Sequence, residues 1–132
     1  MTENTVPRPT DAELAILRIL WERGPSTVRQ VHDVAALGRS IAYTTTLKLL
    51  QIMTDKGLTL RQQEGRVHIY SASHGETEMQ RRLVDDLLDR AFGGSAAKLV
   101  LQALDTRPAS DEERAEIRRL IDERSKKEND RD

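Results

Sequence analysis

The chain has 132 residues and a formal net charge of −1, and its 37% apolar and 3% aromatic content limits it to a thin aliphatic core that oligomerisation would enlarge. The absence of cysteine excludes disulfides, zinc ribbons and thiolate chemistry, and the lack of a signal peptide or of roughly 20 consecutive apolar residues indicates a cytoplasmic protein. Residues 1–72 hold nine Lys or Arg and seven Asp or Glu, whereas residues 73–132 hold twelve and fifteen, so only the first part has a weakly basic balance that permits DNA binding.

The first predicted helix follows residues 1–9, a segment with two prolines that we expect to be a flexible lead-in. Thr10 and Glu13 have the spacing of a capping box, in which each side chain accepts a hydrogen bond from the other residue's backbone amide. Apolar residues then recur at helical spacing in "LAILRILWERG" until Gly24-Pro25 ends the helix.

Two further helices are separated by only a short turn. Ser26 is the predicted N-cap of a second helix, "TVRQVHDVAAL", and Gly38-Arg39-Ser40 is the turn that follows it. A third amphipathic helix runs from about Ile41 to Lys56, and Gly57 ends it. Such closely spaced helices are typical of a helix-turn-helix.

After the third helix the hydrophobic period changes from helical to alternating. "LTLRQQ" (58–63) and "RVHIYSA" (66–72) flank Glu64-Gly65, a pattern that predicts a β-hairpin. Three helices followed by a hairpin predict a winged helix-turn-helix over residues 10–73. We therefore expect a mainly α fold with a small β-hairpin, in which this N-terminal domain precedes a C-terminal three-helix dimerisation region.

The second half of the chain is predicted to form three amphipathic helices over residues 74–126, followed by a charged tail at 127–132. Their apolar stripes are too narrow for a self-sufficient core, so we expect them to pack against a second copy of the chain. Packing within one chain is the alternative, and some residues could do both. The candidate interface residues are Leu83, Leu87, Leu99, Leu101, Ile117, Leu120 and Ile121.

Residues that could support catalysis or metal binding are scattered. His32, His68 and His74 are the only histidines, and none has the spacing of a metal-binding pair, so we expect surface histidines and no metal site. The three aspartates between residues 85 and 89 have the pattern of a solvated helix face. With no glycine-rich phosphate loop and no nucleophile elbow, we expect neither an enzyme nor a bound cofactor.

The third helix has two contrasting faces when each residue is given 100° of rotation. The residues predicted to face the core are Ala42, Thr46, Leu49, Leu50 and Met53. The opposite side groups Ile41, Thr44, Thr45, Lys48, Gln51 and Ile52. Short hydroxyls near a helix start let its backbone approach base edges, and amides and cations bond to bases and phosphates. The alternative is an ordinary amphipathic helix with a polar outer face.

The predicted DNA contacts fall into two groups. Base or groove contacts from the third helix are Thr44, Thr45, Lys48 and Gln51. Phosphate contacts from the turn, the helix start and the wing are Arg39, Ser40, Tyr43, Arg66 and His68. Tyr43 lies near the core side and could pack there instead, and the other residues could face solvent without meeting DNA.

Four segments occur in a characteristic order: "TDAELAILRILWERGPSTVRQVHDVA", "AYTTTLKLLQIMTDKGL", "EGRVHIYSA" and "FGGSAAKLVLQALD". With them the chain resembles the penicillinase and methicillin-resistance repressor family, the BlaI/MecI type, over roughly residues 8–125. The resemblance implies a homodimeric repressor with an N-terminal winged helix-turn-helix and a C-terminal helical dimerisation region. Such proteins bind a short palindromic operator in double-stranded DNA and shut off a resistance or stress operon.

The resemblance also implies how repression is relieved. In the β-lactam branch, a membrane-bound sensor metalloprotease leads to cleavage within the dimerisation region, at a bond that maps onto Gln102-Ala103, where the best-known members have Asn-Phe. The copper-transport branch uses a cysteine-rich hook that this chain lacks. Relief by a small molecule or another signal without cleavage is an alternative, and a protein-interaction adaptor that does not bind DNA is the rival from another class.

Two positions of the third helix depart from the pattern of its relatives. Many relatives carry Arg where Ile52 stands and a small hydroxyl residue where Lys48 stands, so the cation is displaced by about one helical turn. We therefore expect the operator preference, or the phosphate register, to differ from that of the best-known members.

Overall fold

The computed structural model describes residues 6–131, which form six α-helices and a small antiparallel sheet. The helices are α1 (Asp11–Arg23), α2 (Val28–Ala35), α3 (Tyr43–Lys56), α4 (Glu76–Ala91), α5 (Ala96–Thr106) and α6 (Asp111–Arg131). The strands are β1 (Ser26–Thr27), β2 (Thr59–Glu64) and β3 (Val67–Ala72). This order confirms the predicted fold class, a mainly α chain with an N-terminal winged helix-turn-helix. No helix within residues 6–131 has the length and hydrophobicity needed to cross a membrane.

Local capping sets the ends of α1 and α3. The Thr10 hydroxyl accepts a hydrogen bond from the Glu13 amide at 3.2 Å, and Glu13 Oε1 accepts one from the Thr10 amide at 2.8 Å, which confirms the predicted capping box. Gly57 ends α3 with φ of +85°, a left-handed conformation that glycine adopts without strain. The helix begins at Tyr43, later than the predicted Ile41, because Ala42 has extended backbone angles.

A third strand, which the sequence did not predict, joins the hairpin. The strand order is β1-β3-β2, all antiparallel, with Ser26 paired to Tyr70. Ser26 is buried and its hydroxyl donates to the carbonyl of Gly24, so the prediction that Ser26 caps the second helix is wrong. Thr27 is the N-cap, because its hydroxyl accepts the Gln30 amide and the Gln30 side chain accepts the Thr27 amide, which forms a capping box.

The core of the winged helix lies between α1, α2, α3, the sheet and the beginning of α4. Its buried apolar residues are Val6, Ile16, Leu17, Leu20, Val28, Val31, Leu50, Met53, Leu58, Tyr70 and Met79. Aliphatic side chains dominate this list, as the composition requires. The single tyrosine among them occupies the middle of the sheet, on β3.

The segment before α1 is anchored to α4. Val6 is buried, and its carbonyl accepts a hydrogen bond from Arg82 Nε at 3.2 Å. Arg8 Nε lies 3.1 Å from the Asp86 carboxylate. The prediction of a flexible lead-in at residues 1–9 is therefore wrong from Val6 onward, and its first five residues lie outside the described part of the chain.

The chain divides into two compact units, and the boundary between them falls within α4, between Asp86 and Leu87. Met79 is buried in the winged-helix core and Leu83 packs against it, so the first half of α4 belongs to the winged-helix unit rather than to a region starting at residue 74. Part of the apolar stripe of α4 is thus buried within its own chain.

The second unit contains the end of α4 together with α5 and α6. Among residues 87–130, Ala109 is the only buried residue. A helical unit with so little apolar surface covered lacks a core of its own. Helix α6 continues to Arg131 through most of the predicted charged tail, and Asp132 lies outside the described residues.

Candidate nucleic-acid interface

Helix α3 presents one buried and one exposed face. Its buried residues are Thr46, Leu50 and Met53, and the exposed residues of the opposite face are Thr44, Thr45, Lys48, Gln51 and Ile52. Two predicted placements differ. Ala42 is exposed because it precedes the helix, and Ile41 is half-buried rather than fully outward.

The N-terminal end of α3 lacks a side-chain cap. Helices α1, α2 and α5 begin after threonine or serine residues whose hydroxyls accept a first-turn amide, but the N-cap of α3 is Ala42, which has no side-chain oxygen. The carbonyl of Ala42 accepts the amides of Thr45 and Thr46. The positive end of the helix dipole and the amides at its start are therefore left for an external acceptor such as a phosphate.

A hydrogen bond across the helix-turn-helix fixes the inward side of α3. The Thr46 hydroxyl lies 2.9 Å from His32 Nδ1, and the direction of the bond depends on the histidine tautomer. The expectation of surface histidines is wrong here, because His32 is half-buried between α2 and α3. It is correct for His68, which is exposed, whereas His74 Nδ1 lies 3.1 Å from Glu78.

Tyr43, the first residue of α3, is held by two residues of α2. The imidazole of His32 meets the Tyr43 ring edge-on, with centroids 5.5 Å apart and planes at 80°. The guanidinium carbon of Arg29 lies 4.4 Å from the Tyr43 ring centroid. Arg29 was not among the residues predicted from the sequence, and no short-range pattern identifies it, because its partner Tyr43 lies beyond the turn.

The remaining candidate phosphate contacts lie in the turn and the wing, and all are exposed. Arg39 and Ser40 belong to the turn between α2 and α3. Arg66 lies in the tight turn between β2 and β3, and His68 lies on β3 opposite Gln63 of β2. The structure thus leaves these side chains accessible on two different elements of the winged helix.

An ion pair ties the C-terminal end of α3 to the N-terminal end of α1. Lys56 Nζ lies 2.6 Å from Glu13 Oε1, and the Glu13 side chain is only 3% exposed. Burial opposes ionisation of Glu13, but the hydrogen bonds from Lys56 and Thr10 and the charge of Lys56 outweigh it, so the pKa of this carboxyl lies below its ordinary value of 4.5. The same carboxylate therefore caps one helix and anchors the other.

The sequence model of the family described as "Penicillinase repressor" matches residues 9–123, which is most of the chain. The chain belongs to the penicillinase repressor family. The resemblance found from the sequence is thereby confirmed. The matched range includes both faces of α3, the wing and the helices beyond it.

Individual relatives agree with this family. The chain is 36% identical over 114 residues to "Transcriptional regulator BlaI" of Mycobacterium tuberculosis, covering 86% of this chain and 82% of that protein. It is 24% identical over 118 residues to "Penicillinase repressor" of Bacillus licheniformis, covering 89% and 92%. A solved MarR family protein from Bacillus stearothermophilus is 20% identical with a TM-score of 0.50, covering 93% of this chain and 77% of that one, and shows likeness of fold alone.

This member of the penicillinase repressor family also has a cavity of about 430 Å³ beside the beginning of α3. Its lining is largely apolar and comes from α1, α2, the turn and α3: Asp11, Ala12, Ala15, Ile16, Ile19, Ala35, Arg39, Ile41, Thr45, Thr46 and Leu49. Two of the candidate DNA contacts, Arg39 and Thr45, thus line the cavity. Within residues 6–131, no cluster of His, Cys, Asp or Glu is suited to a metal ion.

The candidate dimer residues are divided between covered and exposed positions. Leu83 packs against the winged-helix core of its own chain, and Leu99 and Ile117 are half-buried. The exposed members are Leu87, Leu101, Leu120 and Ile121, and Leu101 is the most exposed at 61%. Gln102 and Ala103, the candidate cleavage site in this family member, lie exposed within α5.

Proposed function

We propose that this protein is a homodimeric transcriptional repressor, which binds a short palindromic operator through α3 and the wing. Membership of the penicillinase repressor family supports this, as do relatives named "Transcriptional regulator BlaI" and "Penicillinase repressor". The observation that carries the proposal is the division of α3 into a fully buried face and a polar exposed face. A helix anchored on one side and polar on the other suits the major groove.

The proposed contacts follow from that division. Thr44, Thr45, Lys48 and Gln51 face the groove, where hydroxyl, amide and ammonium groups can bond to base edges. The proposed phosphate contacts on either side of the groove are Arg39, Ser40, Tyr43, Arg66 and His68. The uncapped beginning of α3 adds unpaired amides and a positive dipole end for a phosphate oxygen. Asp55, which is exposed on α3 beyond Gln51, would repel phosphate, so the N-terminal half of α3 enters the groove.

The dimer is proposed from the second unit. The second unit has almost no buried residue of its own, and it leaves four large apolar side chains exposed: Leu87, Leu101, Leu120 and Ile121. A second copy of the chain would cover these side chains and give the unit a core. Two-fold symmetry of the protein would then match the two half-sites of a palindromic operator.

A gel-shift titration tests the proposal against the rival that this chain is an adaptor without DNA affinity. The probe is a labelled duplex from the region upstream of the gene for this chain, and a shuffled duplex of equal length is the control. We expect tighter binding to the upstream duplex and a fall in affinity as salt rises, because bound phosphates release counterions. Equal and salt-independent binding to both duplexes would refute repressor function.

Relief of repression is proposed to follow cleavage of the Gln102-Ala103 bond, triggered by a membrane-bound sensor metalloprotease. Both residues are exposed, which favours access, but they lie inside α5, and a protease binds its substrate in extended form. Local unwinding of α5 must therefore precede cleavage. Mass spectrometry of the protein from induced cells would show a fragment ending at Gln102, and an intact chain during full derepression would refute cleavage.

The cavity beside α3 favours a second candidate, relief by a small apolar molecule. Its volume of about 430 Å³ is typical of small-molecule sites, which are mostly apolar with a few polar groups. Because Thr45 and Ile41 line the cavity, an occupant would contact the beginning of α3. Substituting Ala15→Trp would fill the cavity from α1. If a ligand acts there, this variant should bind the operator but no longer respond to the inducing compound.

A further inference from the structure

The guanidinium of Arg29 is held over an aromatic ring and has no carboxylate partner in the part of the chain that the structure describes. Its central carbon lies 4.4 Å from the centroid of the Tyr43 ring. Asp33, one turn further along α2, would be the usual partner at this spacing, yet no ion pair of Arg29 occurs within residues 6–131. One flat side of the guanidinium is therefore covered, and because Arg29 is an exposed residue its N–H groups remain accessible to a ligand.

The position of Arg29 is unfavourable for the isolated chain. It lies in the first turn of α2, where the positive end of the helix dipole repels a cationic side chain. Helices α1, α4 and α6 carry carboxylates in their first turns, but α2, α3 and α5 carry none. The two helices of the helix-turn-helix thus begin with an excess of positive potential, which an external anion would relieve.

The Tyr43 ring that supports Arg29 is itself fixed in place. His32 meets its edge at a centroid distance of 5.5 Å, and His32 is in turn 2.9 Å from the Thr46 hydroxyl on the buried side of α3. Tyr43 begins α3, and Arg29 lies near the beginning of α2. In a helix-turn-helix the first of the two helices crosses the DNA backbone, so its N-terminal turn lies near phosphates.

We propose that Arg29 contacts a DNA backbone phosphate and that the Tyr43 ring positions its guanidinium for this contact. The inference rests on the proposed DNA-binding function and adds to it a contact that neither the sequence nor the family comparison assigns. The planar fork of arginine binds a phosphate with two N–H groups while one flat side remains stacked. Holding the side chain in advance reduces the rotamer entropy that binding would otherwise cost.

Fluorescence anisotropy with the duplex upstream of the gene for this chain tests the proposal over a range of salt concentrations. Arg29→Ala should lower the slope of log affinity against log salt by about one for each bound chain, which corresponds to a loss of about eightfold per bound chain at 0.1 M salt. The matched control is Arg18→Ala, which removes an equal charge from an exposed position of α1. The control should change affinity by less than about twofold, because screening weakens distant charges.

Variants of Tyr43 test the positioning role separately. Tyr43→Phe keeps the ring and loses only the hydroxyl's own phosphate contact, so Tyr43→Ala should bind about threefold more weakly than Tyr43→Phe. In the Arg29→Ala background, Tyr43→Ala and Tyr43→Phe should bind equally, because the ring acts only through Arg29. A threefold difference between Tyr43→Ala and Tyr43→Phe that persists in the Arg29→Ala background would overturn the positioning role, as would equal losses from the two variants in the parent.

The outcomes distinguish the inference from the function on which it rests. If the parent protein does not bind the duplex, the proposed function fails. If the parent binds and Arg29→Ala has the affinity and salt slope of Arg18→Ala, the Arg29 contact is refuted. Fluorescence of Trp21, the single tryptophan, confirms for each variant that the winged helix is folded.

Discussion

Replacing Lys56 should destabilise the winged helix far more than replacing its partner Glu13. The structure makes the two partners unequal, because the Glu13 side chain is 3% exposed and that of Lys56 is 34% exposed. Lys56→Met leaves a carboxylate buried with only the Thr10 amide as donor. Glu13→Gln leaves an ammonium that water can reach, and the amide oxygen of glutamine can still accept from Thr10.

The magnitudes follow from this inequality. Removing one partner of a fully buried ion pair costs roughly 3–5 kcal/mol, and the partial exposure of Lys56 and the retained Thr10 bond reduce the cost of Lys56→Met to about 2–3 kcal/mol. Glu13→Gln should cost about 1 kcal/mol, the typical value of one lost polar interaction. The double variant should be about as stable as Glu13→Gln alone. Adding Glu13→Gln to Lys56→Met should therefore raise the free energy of unfolding.

Urea unfolding followed by Trp21 fluorescence measures these differences, because the single tryptophan lies in α1 and donates a hydrogen bond to the carbonyl of His74. A loss of 2 kcal/mol should lower the urea midpoint by about 1 M. The reasoning is refuted if Glu13→Gln is as destabilising as Lys56→Met. It is equally refuted if the double variant is less stable than Lys56→Met alone.

The pH dependence of stability gives an independent measurement of the same pair. The pKa of Glu13 is lowered in the folded protein, so its ionised form stabilises the fold above its ordinary value of 4.5. That contribution is lost as the pH falls through the lowered pKa. Between pH 6 and pH 3, the parent should therefore lose more stability than Glu13→Gln, and identical losses would contradict the assignment.

Three further predictions concern binding, packing and assembly. Lys48→Ala should weaken operator binding and lower the salt slope by about one for each bound chain if Lys48 meets a phosphate, and an unchanged titration would exclude that contact. Thr46→Val should cost about 1 kcal/mol in urea unfolding, because the His32 ring nitrogen loses its partner, and no change would show that the bond is not stabilising. Light scattering should give about twice the chain mass of 15.0 kDa. Leu101→Asp should lower that mass to one chain while the neighbouring control Gln102→Asp keeps it, and a monomeric parent would refute the dimer.

Much of the winged helix could be predicted because its signals act over a few residues. The Thr10 capping box, the Gly57 helix end and the turn between β2 and β3 each depend on backbone geometry within four residues. The exposed and buried faces of α3 follow from helical rotation alone, which placed Thr46 inward and Lys48 outward. These parts of the candidate site needed no knowledge of the fold.

Pairings between distant residues could not be predicted. Ser26 has the composition of a helix cap, and only its pairing with Tyr70 of β3 shows that it belongs to the sheet. The burial of Val6 against α4 likewise requires contact between two segments more than 70 residues apart. In both cases a local propensity was overridden by a tertiary contact.

The sequence by itself determined the order of elements, the helix ends and the polar face of α3, because repeating side-chain spacing and capping groups act along one stretch of backbone. Only the tertiary structure decided which charged side chains form ion pairs. It placed Lys56 on the buried Glu13, whereas Arg29 stacks on Tyr43 and forms no ion pair within residues 6–131, although both are cations of amphipathic helices in the sequence. The physical reason is that the energy of a charge depends on its burial and its partners, and both are set by chain segments brought together in folding.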